Sequence, residues 1–351
     1  MIEERRGNLL RDDAQALINP VNTVGVMGKG LALQFKRAFP EVYAAYREAF
    51  ERGEVQPGRV LATPLEGTRW VLNFPTKRHW RDRSTLEDIE AGLDDLVRVL
   101  RERGIHSVAV PPLGCGNGGL RWQTVRPLIV EKLAPLSIEV HLYLPGTPPA
   151  ADMPTAGPAP VLTQPLARLL AALGRYIAAA WNSGVTEEPK ASLLEVQKVA
   201  YLLQSAGADL DLRFVPYKYG PFSATLNREL AASEGHHILG YGDGTGGARA
   251  DIEVFEESTE QAESAVDGDS MFATAWGKVA HAVRGYEYPE GMELLASAHY
   301  LANRASRVNP AEIATQMAAW TPRKATLFGP ADVTDALGQL TATGLLAPVA
   351  T

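Results

Sequence analysis

The chain has 351 residues, a length that suits two domains better than one hydrophobic core. Its composition is that of a globular protein, and no apolar run approaches the roughly 20 residues of a membrane span. We therefore expect a protein that does not interact with a membrane. A single cysteine, Cys115, excludes an intrachain disulfide framework, so we expect the protein to be cytoplasmic. The 7 histidines are scattered without metal-ligand spacing, and we therefore expect no metal and no cofactor.

Charge is distributed unevenly along the chain. Residues 1–150 carry 20 Lys and Arg against 18 Asp and Glu, a net charge of +2, whereas residues 151–351 carry 14 against 23, a net charge of −9. This asymmetry indicates two domains with different partners. The boundary is predicted at residues 145–165, where seven prolines favour a semi-rigid linker. The predicted domains are therefore residues 1–144 and 166–351.

In the first domain, short β-rich runs alternate with helical patterns. The predicted strands cover residues 16–19, 59–63, 69–74, 107–111 and 138–144, and the predicted helices cover residues 29–39, 40–52, 84–103 and 122–134. The third helix has a continuous apolar face, and Ser84 with Glu87 predicts a capping box at its start. The alternation predicts a mixed α/β sandwich that binds its ligands at loops leaving the strand ends.

The second domain has a different pattern. Alanine- and leucine-rich amphipathic segments predict a mainly helical fold. Within it, residues 251–269 hold eight acidic residues and no basic one. A mainly helical, acidic domain is therefore expected after the linker.

Two segments of the first domain join a strand to a helix through glycines: NPVNTVGVMGKGLALQF, residues 19–35, and PPLGCGNGGLRW, residues 111–122. The first is not a Walker loop, because Lys29 is followed by Gly30 and not by Ser or Thr. Glycines allow backbone N–H groups to approach an anion, and the following helix adds its dipole. Two such loops on one sheet suit a diphosphate; ordinary tight turns are the alternative.

These segments, together with GNLLRDDAQALI at residues 7–18, resemble the macrodomain family over residues 1 to about 144. The resemblance implies a three-layer α/β/α fold with a mixed sheet and ADP-ribose as the ligand. It implies that Asn22 contacts the distal ribose, and that Asn8 replaces the family aspartate at the adenine amine, where its amide oxygen accepts without charge assistance. The positions implied to bind ADP-ribose are Asn8, Leu9, Asn19, Val21, Gly28, Lys29, Gly30, Leu31, Pro112, Gly114, Cys115, Gly116, Asn117, Gly118 and Gly119.

The segment NFPTKRHWRDRSTLEDIEAGL, residues 73–93, resembles macrodomains that hydrolyse ADP-ribosyl bonds with a lysine, and Lys77 is the matching position. A lysine near the ribose C1″ acts as a nucleophile when neutral, or donates to the departing base when charged. Inward-pointing Arg78, His79 and Arg81 are expected to depress its pKa. On spacing alone, a solvent-directed lysine is the alternative. Related enzymes that act on carboxylate-linked ADP-ribose carry an aspartate where this chain has Gly118, so Lys77 and Asn22 remain as catalytic candidates.

The combination of this macrodomain type with a helical C-terminal domain resembles the DarG family of antitoxins, whose DarT partners attach ADP-ribose to thymidine in single-stranded DNA. The segments LLEVQKVAYLLQ and YKYGPFSATLNREL are similar to Panacea-type antitoxin domains. The resemblance implies an ADP-ribosyl glycohydrolase that acts on ADP-ribosylated single-stranded DNA. It also implies that residues 166–351 bind the cognate DarT toxin.

Two surfaces are predicted to support this function. Arg78, His79, Trp80 and Arg81 are expected to hold the DNA strand through phosphate contacts and stacking, with a solvated loop as the alternative. The acidic domain is expected to occupy the positive DNA groove of the toxin, with residues 251–269 as a disordered loop being the alternative. The alternative functions are a hydrolase of ADP-ribosyl esters on protein Glu or Asp, and a non-catalytic ADP-ribose-binding module.

Overall fold

The computed structural model describes residues 1–65, 67–79, 82–116, 118–146, 153, 158–186 and 188–347. The chain divides into two compact units, Met1–Pro158 and Ala159–Thr351. Each unit has hydrophobic core residues of its own. Of the predicted linker at residues 145–165, residues 147–152 and 154–157 lie outside the described part of the chain, so its extended form stays a prediction, and its last two residues already belong to a helix that begins at Gln164.

The first unit is built on one six-stranded sheet. Its strands are β1 (Ile2–Arg5), β2 (Ala16–Asn22), β3 (Leu61–Pro64), β4 (Trp70–Lys77), β5 (Ser107–Val110) and β6 (Glu139–Tyr143). They lie in the order β1-β6-β5-β2-β4-β3. All neighbouring pairs are parallel except β3 and β4, which are antiparallel. The predicted mixed sheet is therefore confirmed.

Helices cover both faces of this sheet. They are α1 (Gly30–Ala38), α2 (Pro40–Glu51), α3 (Leu86–Glu102) and α4 (Trp122–Leu133). Alternate residues of β2 serve opposite faces: Ile18 packs into the core formed with α3 and α4, whereas Leu17 packs into the core that contains Phe35 of α1. Both faces of β2 are buried, as expected of a central strand in a three-layer α/β/α fold.

Two details differ from the sequence prediction. Strand β1 was not predicted, because the segment IEER is charged; in the described sheet it lies at the edge, next to β6. Helix α3 is capped by Thr85, whose side chain accepts from the Asp88 amide, so the predicted capping box of Ser84 and Glu87 is wrong by one residue. The Ser84 hydroxyl is thereby left beside the functional site.

The second unit is mainly helical, as predicted. Its helices are α5 (Gln164–Asn182), α6 (Leu193–Ser205), α7 (Ala224–Ser233), α8 (Glu256–Ala265), α9 (Ser270–Ala282), α10 (Pro289–Ala302), α11 (Pro310–Trp320), α12 (Pro322–Leu327) and α13 (Pro330–Ala342). Short strands accompany them: β7 (Ala191–Ser192), β8 (Val215–Tyr217), β9 (Gly220–Phe222), β10 (Ile238–Leu239) and β11 (Asp251–Val254). Helices α6 and α10 contribute many fully buried residues to its core. Among the described residues, no helix combines the length and apolar character needed to cross a membrane.

The acidic run at residues 251–269 is ordered, so the disordered-loop alternative is wrong. It forms β11 and α8, and two of its acids stabilise the unit through ion pairs. Glu263 pairs with Arg175 at 2.6 Å, and Asp269 pairs with Arg168 at 2.8 Å. Five other acids of the run are exposed: Asp251, Glu256, Glu257, Glu260 and Asp267.

Candidate active site

The two predicted catalytic residues lie side by side at one edge of the sheet. Asn22 ends β2 and Lys77 ends β4, and their Cα atoms are register partners across a small irregularity between Val21 and Asn22. Register partners on adjacent parallel strands project their side chains to the same side of a sheet. Both side chains are buried, which excludes the solvent-directed lysine considered from spacing.

Asn22 shapes the glycine loop that follows β2. Its side-chain oxygen accepts from the Val24 amide at 3.0 Å, and its side-chain nitrogen donates to the Val26 carbonyl at 2.5 Å. The Tyr46 hydroxyl donates to the backbone oxygen of Asn22 at 2.8 Å. Gly25, at φ +72°, has no room for a side chain, because a Cβ there would lie 2.7 Å from Phe50. The amide of Asn22 therefore fixes the path of this loop.

The loop ends at the N-terminus of α1. Lys29 is the N-cap residue and makes no side-chain capping hydrogen bond, and Gly30 begins the helix with φ +61°. Gly28, Lys29, Gly30 and Leu31 are all half-buried. Backbone amides at a helix N-terminus attract anions, so this end of α1 suits a phosphate.

Lys77 has a chemical environment unlike that of a surface lysine. Its Nζ lies 3.5 Å from the backbone oxygen of Asp82. Burial lowers the pKa of Lys77 below its ordinary value, the positive charge of Lys29 lowers this pKa further, and the negative charge of Asp82 opposes both effects. Desolvation thus makes the neutral amine more accessible at physiological pH than in a solvated lysine.

The turn after β4 is connected to the loop after β2. The amide and the hydroxyl of Thr23 both donate to the Arg78 carbonyl, at 3.0 and 2.7 Å. The Arg78 guanidinium forms a two-point ion pair with Asp88, at 3.1 and 3.2 Å. Among the described residues, Lys29 is the cation that lowers the pKa of Lys77, and Arg78, which was expected to do so, pairs with Asp88. The expected effect of Arg81 stays a prediction. Trp80 and Arg81 lie outside the described residues, so DNA contacts by Arg78, His79, Trp80 and Arg81 stay a prediction.

The second glycine loop, residues 112–120, folds back on itself and onto the start of α3. The Leu120 amide donates to the Gly114 carbonyl at 3.0 Å, the Gly119 amide to Gly116 at 2.9 Å, and the Ser84 amide to Gly118 at 3.0 Å. A Cβ on Gly118 would lie 2.2 Å from the Ser84 hydroxyl and 2.4 Å from the Gly114 carbonyl. Position 118 therefore has no space for the aspartate of related enzymes. Asn117 lies outside the described residues.

Two residues of this loop have limited chemical roles. Pro112 accepts the Cys115 amide at 3.1 Å and so closes the first turn. Burial raises the pKa of the Cys115 thiol to about 11, so this cysteine is a protonated thiol at neutral pH. Cys115 is therefore not suited to act as a nucleophile, and its contact with ADP-ribose stays a prediction.

The remaining predicted ligand residues lie deeper in the unit. Asn8 caps a short 3-10 helix, Leu9–Arg11, by accepting from the Leu10 amide at 2.9 Å. Leu9 and Val21 have side chains in the core, so only their backbone groups are available to a ligand. The side-chain nitrogen of Asn19 donates to the side-chain oxygen of Asn73 at 2.8 Å within the sheet.

Four residues near the site were not predicted: Asp82 beside Lys77, Asn73 beside Asn19, Tyr46 beside Asn22, and Ser84 beneath Gly118. The first three act through contacts between segments that are distant in sequence or through backbone atoms. The Ser84 hydroxyl has no hydrogen-bond partner among the described residues. Ser84 could have been found from the sequence if the cap of α3 had been predicted at Thr85 and not at Ser84.

Within the described part of the chain, one group of side chains has the spacing of metal ligands: Asp12, Asp13 and His141. Asp12 already accepts hydrogen bonds from the Ala14 amide, His141 and Tyr143, and pairs with Arg5 at 3.0 Å. Because its oxygens are occupied, we interpret Asp12 and its partners as a buried hydrogen-bond network that joins β1 and β6 to the chain before β2, with the Asp13 side chain exposed beside it.

Comparison with known proteins identifies the protein class to which the first unit belongs. Residues 18–129 match the Macro domain family model. This match covers most of β2, all of β4 and both glycine loops. The first unit is therefore a macrodomain.

Full-length relatives define the family further. The chain is 43% identical to a DNA ADP-ribosyl glycohydrolase of Thermus aquaticus over 99% of this chain and 95% of that protein. It is 40% identical to one of Mycobacterium tuberculosis over 93% of this chain and 96% of that protein. A DNA ADP-ribosyl transferase–DNA ADP-ribosyl glycohydrolase fusion protein of Thermosipho africanus is 40% identical over 40% of each chain. The chain belongs to the DNA ADP-ribosyl glycohydrolase (DarG) family.

Proposed function

We propose that this chain removes ADP-ribose from thymidine bases of single-stranded DNA, with Lys77 and Asn22 as its catalytic residues. Membership of the family supports hydrolysis of ADP-ribosylated DNA. The observation that carries the residue assignment is the register pairing of a buried Lys77 with Asn22, which begins the first glycine loop. ADP-ribose has two phosphates, which suit the amide donors of these loops and the end of α1.

The geometry supports two chemical roles for Lys77. As a neutral amine it attacks C1″, the thymine base departs with its bonding electrons, and water later releases the ribose from the lysine. As an ammonium it donates a proton to the departing base while water adds to C1″. Asn22 holds the loop that orients the distal ribose, and backbone donors stabilise the diphosphate. In both cases the products are free ADP-ribose and the restored thymine, so the activity repairs the DNA.

The test is release of ADP-ribose from a thymidine-ADP-ribosylated oligonucleotide. We expect Lys77→Ala to lower the rate by at least about a hundredfold, the scale of a lost acid–base or nucleophilic group. Lys132→Ala is the matched control, because this lysine lies on α4 and pairs with Asp94 at the surface. A Lys77→Ala rate close to that of the wild type would overturn the assignment. Hydrolysis of ADP-ribosylated protein at a comparable rate would favour the ester-hydrolase alternative.

The second unit is proposed to bind the cognate DarT toxin. The fusion relative joins a transferase and a glycohydrolase in one chain, which supports a partnership of the two activities. Five exposed acids of the 251–269 run give the unit a negative surface of the kind that a DNA-binding groove attracts. We infer that this surface takes the place of DNA in the toxin, in the cytoplasm where both proteins act.

Salt dependence tests this interaction. The affinity of the purified toxin for the full chain should fall steeply as salt rises, because exposed charges are screened. Charge reversal at Glu256 and Glu257 should weaken binding, whereas reversal at Glu229, exposed on α7, is the control. An affinity independent of salt and of these substitutions would remove charge as the basis of the complex.

A further inference from the structure

Two charged side chains act on the Lys77 amine among the described residues, and they belong to different segments. Lys29 ends the loop after β2, and Asp82 lies in the turn after β4. Their charges have opposite effects on the pKa of Lys77, which burial already lowers. The Arg78 guanidinium is directed to Asp88 and is not one of these groups.

Asp82 also makes two hydrogen bonds to His79, beside the amine. Its amide donates to the His79 carbonyl at 3.0 Å, and its carboxylate accepts from the His79 amide at 3.1 Å. Its backbone oxygen is the atom that lies 3.5 Å from Lys77 Nζ. The same turn is held to the first glycine loop by Thr23. One residue therefore closes the turn and contacts the amine, while its carboxylate remains exposed.

We propose that Asp82 is a positioning residue for Lys77, which it holds at the site through the closed turn while its carboxylate balances the charge of Lys29. This inference rests on the proposed role of Lys77 as the reacting amine. It differs from a purely structural role because the charge of Asp82, and not only its hydrogen bonds, acts on the reaction.

Two variants separate charge from shape. Asp82→Asn keeps a side-chain oxygen that accepts from the His79 amide but removes the negative charge. Lys29→Gln removes the opposing positive charge. Glu131→Gln, an exposed carboxylate near the C-terminal end of α4, is the control for a general change in protein charge.

The direct measurement is NMR titration of the Lys77 amine in the full chain after ¹³C reductive methylation, with the signal assigned by its loss in Lys77→Arg. We expect Asp82→Asn to lower the pKa of Lys77, Lys29→Gln to raise it, and Glu131→Gln to leave it unchanged. The proposal would be overturned if the pKa of Lys77 stayed the same in Asp82→Asn. It would also be overturned if this pKa moved in the same direction in Asp82→Asn and Lys29→Gln.

The pH profile of kcat on the ADP-ribosylated oligonucleotide provides the functional readout. A rising limb reports a neutral reacting amine and a falling limb an ammonium, and in either case Asp82→Asn should move the limb to lower pH. If oligonucleotide hydrolysis is absent while the NMR shifts are opposite, the proposed function fails, and what stands is the effect of the Asp82 charge on the Lys77 amine. If hydrolysis depends on Lys77 while its titration ignores Asp82, the positioning role fails and the function stands.

Discussion

At the scale of single residues, the protonation of Lys77 decides which reaction the site performs. Burial lowers the pKa of this amine, with Lys29 adding to the effect. If the amine is the nucleophile, kcat should rise as pH increases through the lowered pKa and then reach a plateau. A kcat that falls through the same pKa would identify the ammonium as the proton donor. A profile of kcat against pH for the wild type, with Lys77→Arg for comparison, separates the two.

Gly118 and Gly116 form a matched pair for testing the second glycine loop. A Cβ on Gly118 meets the Ser84 hydroxyl at 2.2 Å, whereas a Cβ on Gly116 meets no atom within 4 Å. Gly118→Ala should therefore cost about 1–3 kcal/mol of unfolding free energy and weaken ADP-ribose binding, because the loop has to move. Gly116→Ala should change the free energy of unfolding by less than about 0.5 kcal/mol. Denaturant unfolding and calorimetry with ADP-ribose measure both effects; equal behaviour of the two variants contradicts the packing described for this loop.

The sequence predicted which residues end the strands at the candidate site, while their catalytic roles stay a prediction. Asn22 and Lys77 end strands that the alternation of patterns identifies, and they lie together as the account requires. Asp82 could not be found in the same way, because its backbone oxygen and its charge act on Lys77 through a turn that no motif describes. Lys29 was not predicted to act on Lys77, and a sequence does not show that Arg78 pairs with Asp88.

At the scale of elements, a buried network ties β1 and β6 to the segment before β2. Burial raises the pKa of Asp12, but hydrogen bonds from His141, Ala14 and Tyr143 outweigh it and hold this pKa below its ordinary value. The native state therefore favours the ionised form. The resulting stabilisation is complete above the ordinary pKa of aspartate and is lost as pH falls through the depressed value.

Asp12→Asn should destabilise the first unit by about 3 kcal/mol near neutral pH, the cost of breaking a buried charged network. The penalty should shrink as pH falls below about 3.9, where the unfolded aspartate is protonated. Denaturant unfolding at several pH values measures this trend. Asp13→Asn is the control, because the Asp13 side chain is 88% exposed; a penalty at Asp12 that does not vary with pH would argue against the network.

Elements could be predicted from the sequence where the apolar periodicity is strong, and were missed where charged residues interrupt that periodicity. The five predicted strands and four predicted helices of the first unit all form, whereas β1 was missed because two of its four residues are glutamates. In the second unit, the YKYGPF segment forms the β8–β9 hairpin. Gly220 there has φ +96° and lies against Ser297, a contact with a distant helix that the sequence does not show.

At the scale of the whole molecule, the two units have separate cores and opposite net charges. We expect the fragments 1–158 and 159–351 to fold independently, because each retains its own buried residues. The first should hydrolyse the modified oligonucleotide within about twofold of the full chain, and the second should bind the toxin without hydrolysis. Circular dichroism, hydrolysis and binding measurements on the two fragments test this division. A first fragment that folds but does not hydrolyse the oligonucleotide would contradict it.

The most direct test of the account is a crystal structure of the protein with ADP-ribose. We expect the diphosphate to lie between the two glycine loops and the distal ribose to lie beside Asn22. C1″ should lie within about 4 Å of Lys77 Nζ, close to the separation of reacting atoms. Binding of ADP-ribose at another face of the sheet, or with C1″ turned away from Lys77, would contradict the account.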